Sequence, residues 1–257
     1  MSPPQSDTSQ ATTTTQGRRV FVSTSPPTPP SGTTGAVRNA PAPEAVPPDP
    51  LPRRLLRLYG GLALYGVSCA LLVEAGLGLE PWGVLHQGLS GLTGLTIGAV
   101  TIVVGALVLL LWIPLRQRPG LGTVSNVVVI GLVMDATLFL VPDARALAVR
   151  VPLMVAAVAL NGVATGLYIA ARFGPGPRDG LMTGLHRRTG RSIRLVRTCL
   201  EVAVVTTGFL LGGTVGAGTV VYALAIGPLA QFFLRLFTAP AASRVPVAGG
   251  GRAILRR

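Results

Sequence analysis

Lysine is absent from this chain of 257 residues, so all 22 of its basic residues are arginine. Without lysine the chain cannot form a Schiff base with a carbonyl substrate, and it lacks the lysine of a phosphate-binding P-loop. It has two cysteines and two histidines, with no spacing that indicates a disulfide framework or a metal site. No nucleophile with a partner base is visible either. We therefore expect neither an enzyme nor a bound cofactor.

Charged residues are also scarce. They make up 12% of the chain, whereas a soluble domain of ordinary composition has about a quarter. A net charge of +13 on a soluble domain would indicate nucleic acid, but here the arginines lie at the ends of long apolar runs. The pattern therefore predicts an all-α, polytopic helical membrane protein in a lipid bilayer, with no nucleic-acid partner.

Six transmembrane helices are predicted, at 55–76, 96–114, 121–141, 151–171, 197–213 and 217–237. The fifth is the weakest because Arg197 and Glu201 lie in its first turns, so a five-span arrangement with this segment re-entrant stays open. Outside the membrane region, residues 1–50 are rich in Ser, Thr, Pro and Ala and predict a disordered N-terminal tail. Residues 238–257 are expected to form a basic C-terminal tail.

The arginines are concentrated in alternate loops. The loops at 77–95 and 213–217 have none, and the loop at 142–150 has only Arg145 and Arg150. By the positive-inside rule, both termini of a multi-pass protein in a bacterial plasma membrane then lie in the cytoplasm. We expect the arginines of the long fourth loop to face anionic lipids of the cytoplasmic leaflet. They are Arg187, Arg188, Arg191 and Arg194.

The membrane region repeats itself at an offset of 96 residues, without a gap. Pro81 recurs as Pro177, and Gly88-Leu89 recurs as Gly184-Leu185. Gly122-Thr123-Val124 recurs in the same register as Gly218-Thr219-Val220. Each half, 51–141 and 151–237, has three predicted spans. Since three is odd, the second half enters the membrane from the opposite side, which predicts two inverted repeats. A duplicated packing scaffold without a pore is the alternative.

Each half also has a short segment that begins at a proline, at 81–93 and at 177–189. Both are too short to span a bilayer and are typical of short helices that enter the membrane or lie along it. Two such helices from opposite faces can meet at the midplane, where their N-termini would offer N–H groups to an anion or a polar solute. A pair of interfacial helices that contact lipid head groups is the other interpretation.

Few charged side chains lie in or near the spans, and they define the candidate solute or ion site. Asp135 lies in the third span and Gln231 is its repeat partner, so the pair suggests either a coupling-ion or proton site or a group near the outer interface. Arg197 and Glu201 are four residues apart and can pair on one helix face. The candidates are Arg178, Asp179, Asp135, Gln231, Arg197, Glu201 and Trp82.

Several motifs together resemble the YczE/YyaS/YitT family of bacterial membrane proteins. They are Glu80-Pro81-Trp82-Gly83, Gly94-Leu95-Thr96-Ile97-Gly98, Trp112-Ile113-Pro114-Leu115-Arg116 and Gly176-Pro177-Arg178-Asp179-Gly180. The resemblance covers about 55–237 and implies a multispanning plasma-membrane protein of unassigned activity. That family usually has Asp after Pro-Trp, whereas this chain has Gly83. Since Gly83 corresponds to Asp179, the acidic residue is expected in one half only.

Two functions are compatible with these features. The inverted repeats, the paired short helices and Asp135 favour a permease for a small solute or ion, with its site between the halves. Local capping by Asp179 and a structural Arg197–Glu201 ion pair are the plainer interpretations of those charges. The alternative function is a membrane accessory or regulatory protein that acts through its basic cytoplasmic face.

Overall fold

The computed structural model describes residues 49–142 and 145–238, so the predicted tails at 1–50 and 238–257 lie almost wholly outside it. Within the described ranges the chain forms eight helices and no strand. The helices are α1 (Leu51–Ala75), α2 (Pro81–Thr93), α3 (Ile97–Trp112), α4 (Leu121–Leu140), α5 (Leu147–Ala170), α6 (Pro177–Thr189), α7 (Ile193–Leu210) and α8 (Ala217–Thr238). The all-helical prediction is confirmed.

Proline, glycine and hydroxyl side chains set the ends of the short helices. α2 and α6 each begin with a proline, whose missing N–H costs nothing in the first turn. Both end at a left-handed glycine, Gly94 with φ 72° and Gly190 with φ 66°. The next helices begin directly afterwards, with Thr96 and Ser192 as N-caps that accept hydrogen bonds from the first turn. α2 and α3 consequently form a sharp bend of 112°.

Four helices, α1, α4, α5 and α8, are long and apolar enough to cross a membrane, and the bent α2–α3 pair makes five if it counts as one span. The second and fifth predicted spans correspond to α3 and α7. α3 has 16 residues, about 24 Å of helix, which is short of the roughly 30 Å hydrocarbon core. α7 includes Arg194, Arg197 and Glu201. The structure thus supports four or five of the six predicted spans in an integral membrane protein, and α7, the fifth predicted span, is not among them.

The same secondary structure occurs twice at the offset of 96 residues. Leu51 and Leu147 begin the first helix of each half, Pro81 and Pro177 the second, Ile97 and Ile193 the third, and Leu121 and Ala217 the fourth. The loop glycines Gly78 and Gly174 have the same φ of 115°, a value that side chains other than glycine rarely adopt. The two halves therefore have equivalent backbones as well as similar sequences.

α1 and α5 pack against each other at the centre of the fold and run antiparallel. Arg54 near the start of α1 donates from Nε to the Ala171 carbonyl just after α5, at 3.1 Å. Arg150 near the start of α5 donates from Nε to the Ala75 carbonyl at the end of α1, at 2.6 Å. Each arginine thus satisfies carbonyls that a helix C-terminus leaves without partners. Antiparallel first helices are the arrangement expected of inverted repeats.

A second reciprocal contact joins the halves. The N–H of Gly122 at the start of α4 donates to the Phe173 carbonyl at 2.9 Å, and the N–H of Gly218 at the start of α8 donates to the Leu77 carbonyl at 2.8 Å. The loop after the first helix of each half is therefore held by the last helix of the other half. Neither half completes its own backbone hydrogen bonding alone.

The symmetry fails most clearly at the interfaces of α3 with α4 and of α7 with α8. α3 packs along α4 so closely that a Cβ on Gly131 would lie 2.5 Å from the Gly98 carbonyl oxygen. We call this interface the α3–α4 seam. α7 does not pack along α8 in this way, and a Cβ on Gly227, the equivalent of Gly131, would have no heavy atom within 4 Å. We call this opening the α7–α8 gap.

The seam and the gap predict opposite effects for two equivalent substitutions. Gly131→Ala forces the added methyl against the backbone of α3, so we expect the apparent melting temperature in detergent to fall by roughly 3–10 °C. Gly227→Ala is the matched control, because the same change meets open space and should leave the melting temperature within about 2 °C of the parent. Equal destabilisation by both variants would contradict the described asymmetry.

Candidate functional site

A cavity of about 330 Å³ lies between the two halves. The first turns of α2 and α6 form its centre, and α7 and α8 form the wall on the side of the gap. Six of the seven predicted site residues line this cavity. They are Arg178, Asp179, Gln231, Arg197, Glu201 and Trp82. The seventh, Asp135, does not.

The N-termini of the two short helices meet in the cavity. Trp82 and Arg178 are both the second residue of their helix and are 96 residues apart, so they are repeat partners. The Arg178 guanidinium lies over the Trp82 ring, 5.0 Å from its centroid, which is a cation–π distance. Arg178 forms no hydrogen bond or ion pair with another described residue. The predicted meeting of the short helices is present, and it places one guanidinium inside the cavity.

Each short helix has a carboxylate at its N-terminus, but the two acidic residues are not repeat partners. In α2 the carboxylate belongs to the N-cap Glu80, and a Cβ on Gly83 would lie 2.6 Å from its Oε2. In α6 it belongs to Asp179 in the first turn, and a Cβ on Gly176 would lie 3.2 Å from its Oδ2. Glu80 corresponds to Gly176 and Gly83 to Asp179, so the halves exchange the acid and the glycine.

The expectation of an acidic residue in one half only is therefore corrected. The longer side chain of Glu80 reaches the space beside residue 83 that a side chain at 83 would otherwise occupy, and glycine there avoids a clash. The position directly before a helix-starting proline is an N-cap, where an acid is favourable, and this signal could have identified Glu80 from the sequence.

Tyrosine and cysteine side chains surround these carboxylates. The Tyr168 hydroxyl donates to Asp179 Oδ2 at 3.1 Å, and Cys69 Sγ lies 3.6 Å from Glu80 Oε1 as a donor. Glu80 is only 3% exposed, whereas Asp179 is exposed toward the cavity. Tyr168 lies on α5 and Cys69 on α1, each 11 residues before its carboxylate, and the loop between them brings the two groups together.

The predicted Arg197–Glu201 ion pair is present on the wall of the cavity. Arg197 Nε donates to Glu201 Oε1 at 2.9 Å, one turn apart on α7. The repeat partner of Arg197 is Thr101, which hydrogen-bonds instead to His86 Nδ1 at 3.0 Å. Polar contacts thus line both equivalent walls, but only the α7 wall has charges.

Asp135 is a helix cap and not part of the cavity. Its Oδ1 accepts the Gly98 N–H at 2.8 Å and its Oδ2 accepts the Thr96 hydroxyl at 2.5 Å. Both bonds hold the start of α3, whose first N–H groups have no partners within the helix. The two interpretations made from the sequence, a proton or coupling-ion site and a group near the outer interface, stay predictions. Gln231, its repeat partner, lines the cavity instead.

The arginines expected to face lipid lie around the turn between α6 and α7. Arg187, Arg191 and Arg194 are exposed, while Arg188 Nη1 donates to the Pro114 carbonyl at 2.8 Å. Their contact with anionic lipid stays a prediction. Among the described residues, no three His, Cys, Asp or Glu side chains come together as metal ligands.

Comparison with known proteins finds a matching family model and uncharacterized relatives. A family model described as a family of unknown function, DUF6198, matches residues 52–235. An uncharacterized protein of Haemophilus influenzae is 42% identical over 179 residues, which cover 70% of this chain and 82% of that protein. The uncharacterized membrane protein YczE of Bacillus subtilis is 31% identical over 178 residues, with 68% and 83% covered.

The uncharacterized protein YyaS of Bacillus subtilis is 25% identical over 181 residues, covering 68% of this chain and 90% of that protein. No solved structure matches the chain. The resemblance to YczE and YyaS is confirmed, while a relation to YitT proteins stays a prediction.

The exchanged carboxylates predict a compensating pair of substitutions. Glu80→Gly removes the carboxylate at the start of α2 and leaves the buried Cys69 thiol without its acceptor, so it should lower the melting temperature. Gly83→Asp alone places a second carboxylate against Glu80, so it should also destabilise. In the double variant Glu80→Gly/Gly83→Asp, the first half has the arrangement of the second. We expect its melting temperature to exceed those of both single variants in detergent.

The double-mutant cycle supplies the control, because unrelated sites have additive effects. A double variant whose loss equals the sum of the two single losses would show that the two positions do not share one carboxylate site.

Proposed function

Because the chain belongs to the family of unknown function DUF6198, its activity has to be inferred from its own cavity, and we propose that it is a permease for a small solute. The solute site is the cavity between the inverted halves. The volume of about 330 Å³ is within the range of small-molecule sites, and the convergent charged and aromatic side chains are typical of them.

The asymmetry between the seam and the gap supports this proposal most directly. α3 is closed on α4, while the equivalent α7 stands away from α8 and leaves the cavity open on that side. Exchange of the two arrangements closes α7 on α8 and releases α3 from α4. Since the first helices of the halves run antiparallel, the exchange moves the opening to the opposite side of the membrane.

The repeat partners in α7 and α8 have groups suited to the closed arrangement. Gly227 is as small as Gly131, so it permits a close approach of α7. Gln231 has an amide oxygen where Asp135 has a carboxylate, and Ser192 corresponds to Thr96. A neutral amide accepts weaker hydrogen bonds than a carboxylate does. We therefore propose that the closed α7–α8 arrangement is the less stable one, which agrees with the described conformation.

The positive-inside pattern assigns a direction to this conformation. With both termini in the cytoplasm of a plasma membrane, the basic turn between α6 and α7 is cytoplasmic. Gln231 and Leu234 line the cavity toward the C-terminal end of α8, which is the same side. We propose that the α7–α8 gap opens to the cytoplasm. An accessory protein acting through its basic face, the alternative, needs no exchange of seam and gap.

Paired cysteines test the exchange. In a background with Cys69→Ala and Cys199→Ala, Gly105→Cys/Val127→Cys reports the α3–α4 seam, because a Cβ on Gly105 lies 3.5 Å from Val127 Cβ. The equivalent pair, Glu201→Cys/Ala223→Cys, reports closure of the gap. We expect oxidation in membranes to crosslink both pairs, with faster crosslinking at the seam.

The control is Glu201→Cys/Leu224→Cys, which has the same loss of the Arg197 partner but places the second thiol on an exposed face of α8 that does not line the cavity. This pair should not crosslink. If the seam pair crosslinks while Glu201→Cys/Ala223→Cys reacts no faster than the control, the gap does not close and the permease proposal fails.

A further inference from the structure

The solute site has two accessible charges of opposite sign, adjacent in the first turn of α6. Arg178 and Asp179 both line the cavity, and neither forms an ion pair with another described residue. From this arrangement we infer that the cavity binds a small zwitterion, with its anionic carboxylate on Arg178 and its cationic ammonium on Asp179. This inference names the substrate class of the proposed permease site and rests on that proposal for the location of the site.

The hydrogen-bonding capacity of Arg178 favours a carboxylate. A guanidinium has five N–H donors in a planar fork that matches a carboxylate, and none of them donates to a described residue. Its guanidinium stacks on the face of Trp82, which fixes the plane of the fork but supplies no acceptor oxygen, and Glu80 is close enough to interact with its charge without forming an ion pair. Trp82 adds a further donor, because its Nε1 is buried and has no hydrogen-bond partner, with the side chain 7% exposed.

Asp179 supplies the complementary acceptor. The Tyr168 hydroxyl donates to its Oδ2, and no described donor binds its Oδ1. The carboxylate is exposed toward the cavity, so a bound ammonium can reach it. An ammonium and a carboxylate in one small molecule therefore match two adjacent side chains.

The charges that line the cavity disfavour a solute that is only anionic or only cationic. Arg197 and Glu201 neutralise each other on the opposite wall at 2.9 Å. A purely anionic solute would meet the carboxylate of Asp179 beside Arg178, and with Glu80 the cavity has a second negative charge close by. A purely cationic solute would meet the unpaired Arg178. Repulsion of the wrong charge is an ordinary source of specificity in binding sites.

The volume and the aromatic lining limit the remainder of the solute. A cavity of about 330 Å³ accommodates a molecule of the size of an amino acid or a betaine. The rings of Tyr65, Trp82, Tyr168 and Tyr222 line it, so a modest apolar group has a surface to contact.

Equilibrium binding to the full chain in detergent tests the inference without requiring transport. The probes are the standard L-amino acids and glycine betaine, titrated by calorimetry. The tightest zwitterion is then compared with its deaminated acid and its decarboxylated amine. We expect the zwitterion to bind at least about tenfold more tightly than either single-charge analogue, since each buried ionic contact contributes separately.

Two variants assign the charges. Arg178→Gln should weaken zwitterion binding at least about tenfold, and Asp179→Asn should do the same while improving relative binding of the acid. Arg187→Gln is the matched control, because it removes an arginine of the same helix that is exposed and does not line the cavity. It should leave the affinity unchanged.

Tighter binding of the acid with no effect of Asp179→Asn would overturn the inference in favour of an anion site. Tighter binding of the amine with no effect of Arg178→Gln would overturn it in favour of a cation site, and no binding by any probe would overturn it outright. Zwitterion binding without closure of the α7–α8 gap would support this inference and defeat the permease proposal instead.

Discussion

The structure depends on satisfying backbone N–H and C=O groups at helix ends, a constraint that is strict wherever such an end lies in the lipid interior. No water is available there to replace a missing partner, so a broken helix is stable only where side chains or other backbone segments supply the bonds. The chain breaks between the short helix and the next helix of each half, at α2–α3 and at α6–α7, and the first of these pairs is a candidate broken span. Arg54 and Arg150 bind the C-terminal ends of the opposite first helices, and Asp135 holds the start of α3. These three charged side chains therefore stabilise helix ends.

Arg178 and Asp179 are the main charged residues that do not bind a helix end in this way. The N-termini of α2 and α6 both carry a partial positive charge, so they repel each other and any cation between them. A guanidinium is nevertheless present there, stacked on Trp82. Glu80 and Asp179 compensate by placing a carboxylate at each helix start. The duplication preserved this arrangement in space while exchanging its sequence positions, since a Glu at the N-cap and an Asp in the first turn reach the same place. Position-by-position comparison of the repeats therefore underestimates their similarity at the site.

The 96-residue repeat gives α3 and α7 equivalent positions, and the proposed exchange of seam and gap depends on this equivalence. Equivalent helices offer equivalent surfaces, so α7 can in principle take the place on α8 that α3 takes on α4. The small differences between the halves then decide which arrangement is stable. Where the first half has Asp135 and Gly98, the second half has Gln231 and Arg194. Both differences favour the closed α3–α4 seam, and the gap beside Gly227 is open.

Sequence alone determined the helical membrane class, the 96-residue repeat, the two short helices and the Arg197–Glu201 pair. These depend on composition, periodicity and contacts within one turn, all of which are local along the chain. Six of the seven candidate residues lie on one cavity in the structure, but only Trp82, Arg178 and Asp179 belong to the short helices whose meeting the repeat predicts. Only the tertiary structure decided the role of Asp135, the equivalence of Glu80 and Asp179, and the asymmetry of seam and gap. Each of these depends on the distance between groups far apart in the chain, and hydrogen bonds and close packing act only over a few ångströms.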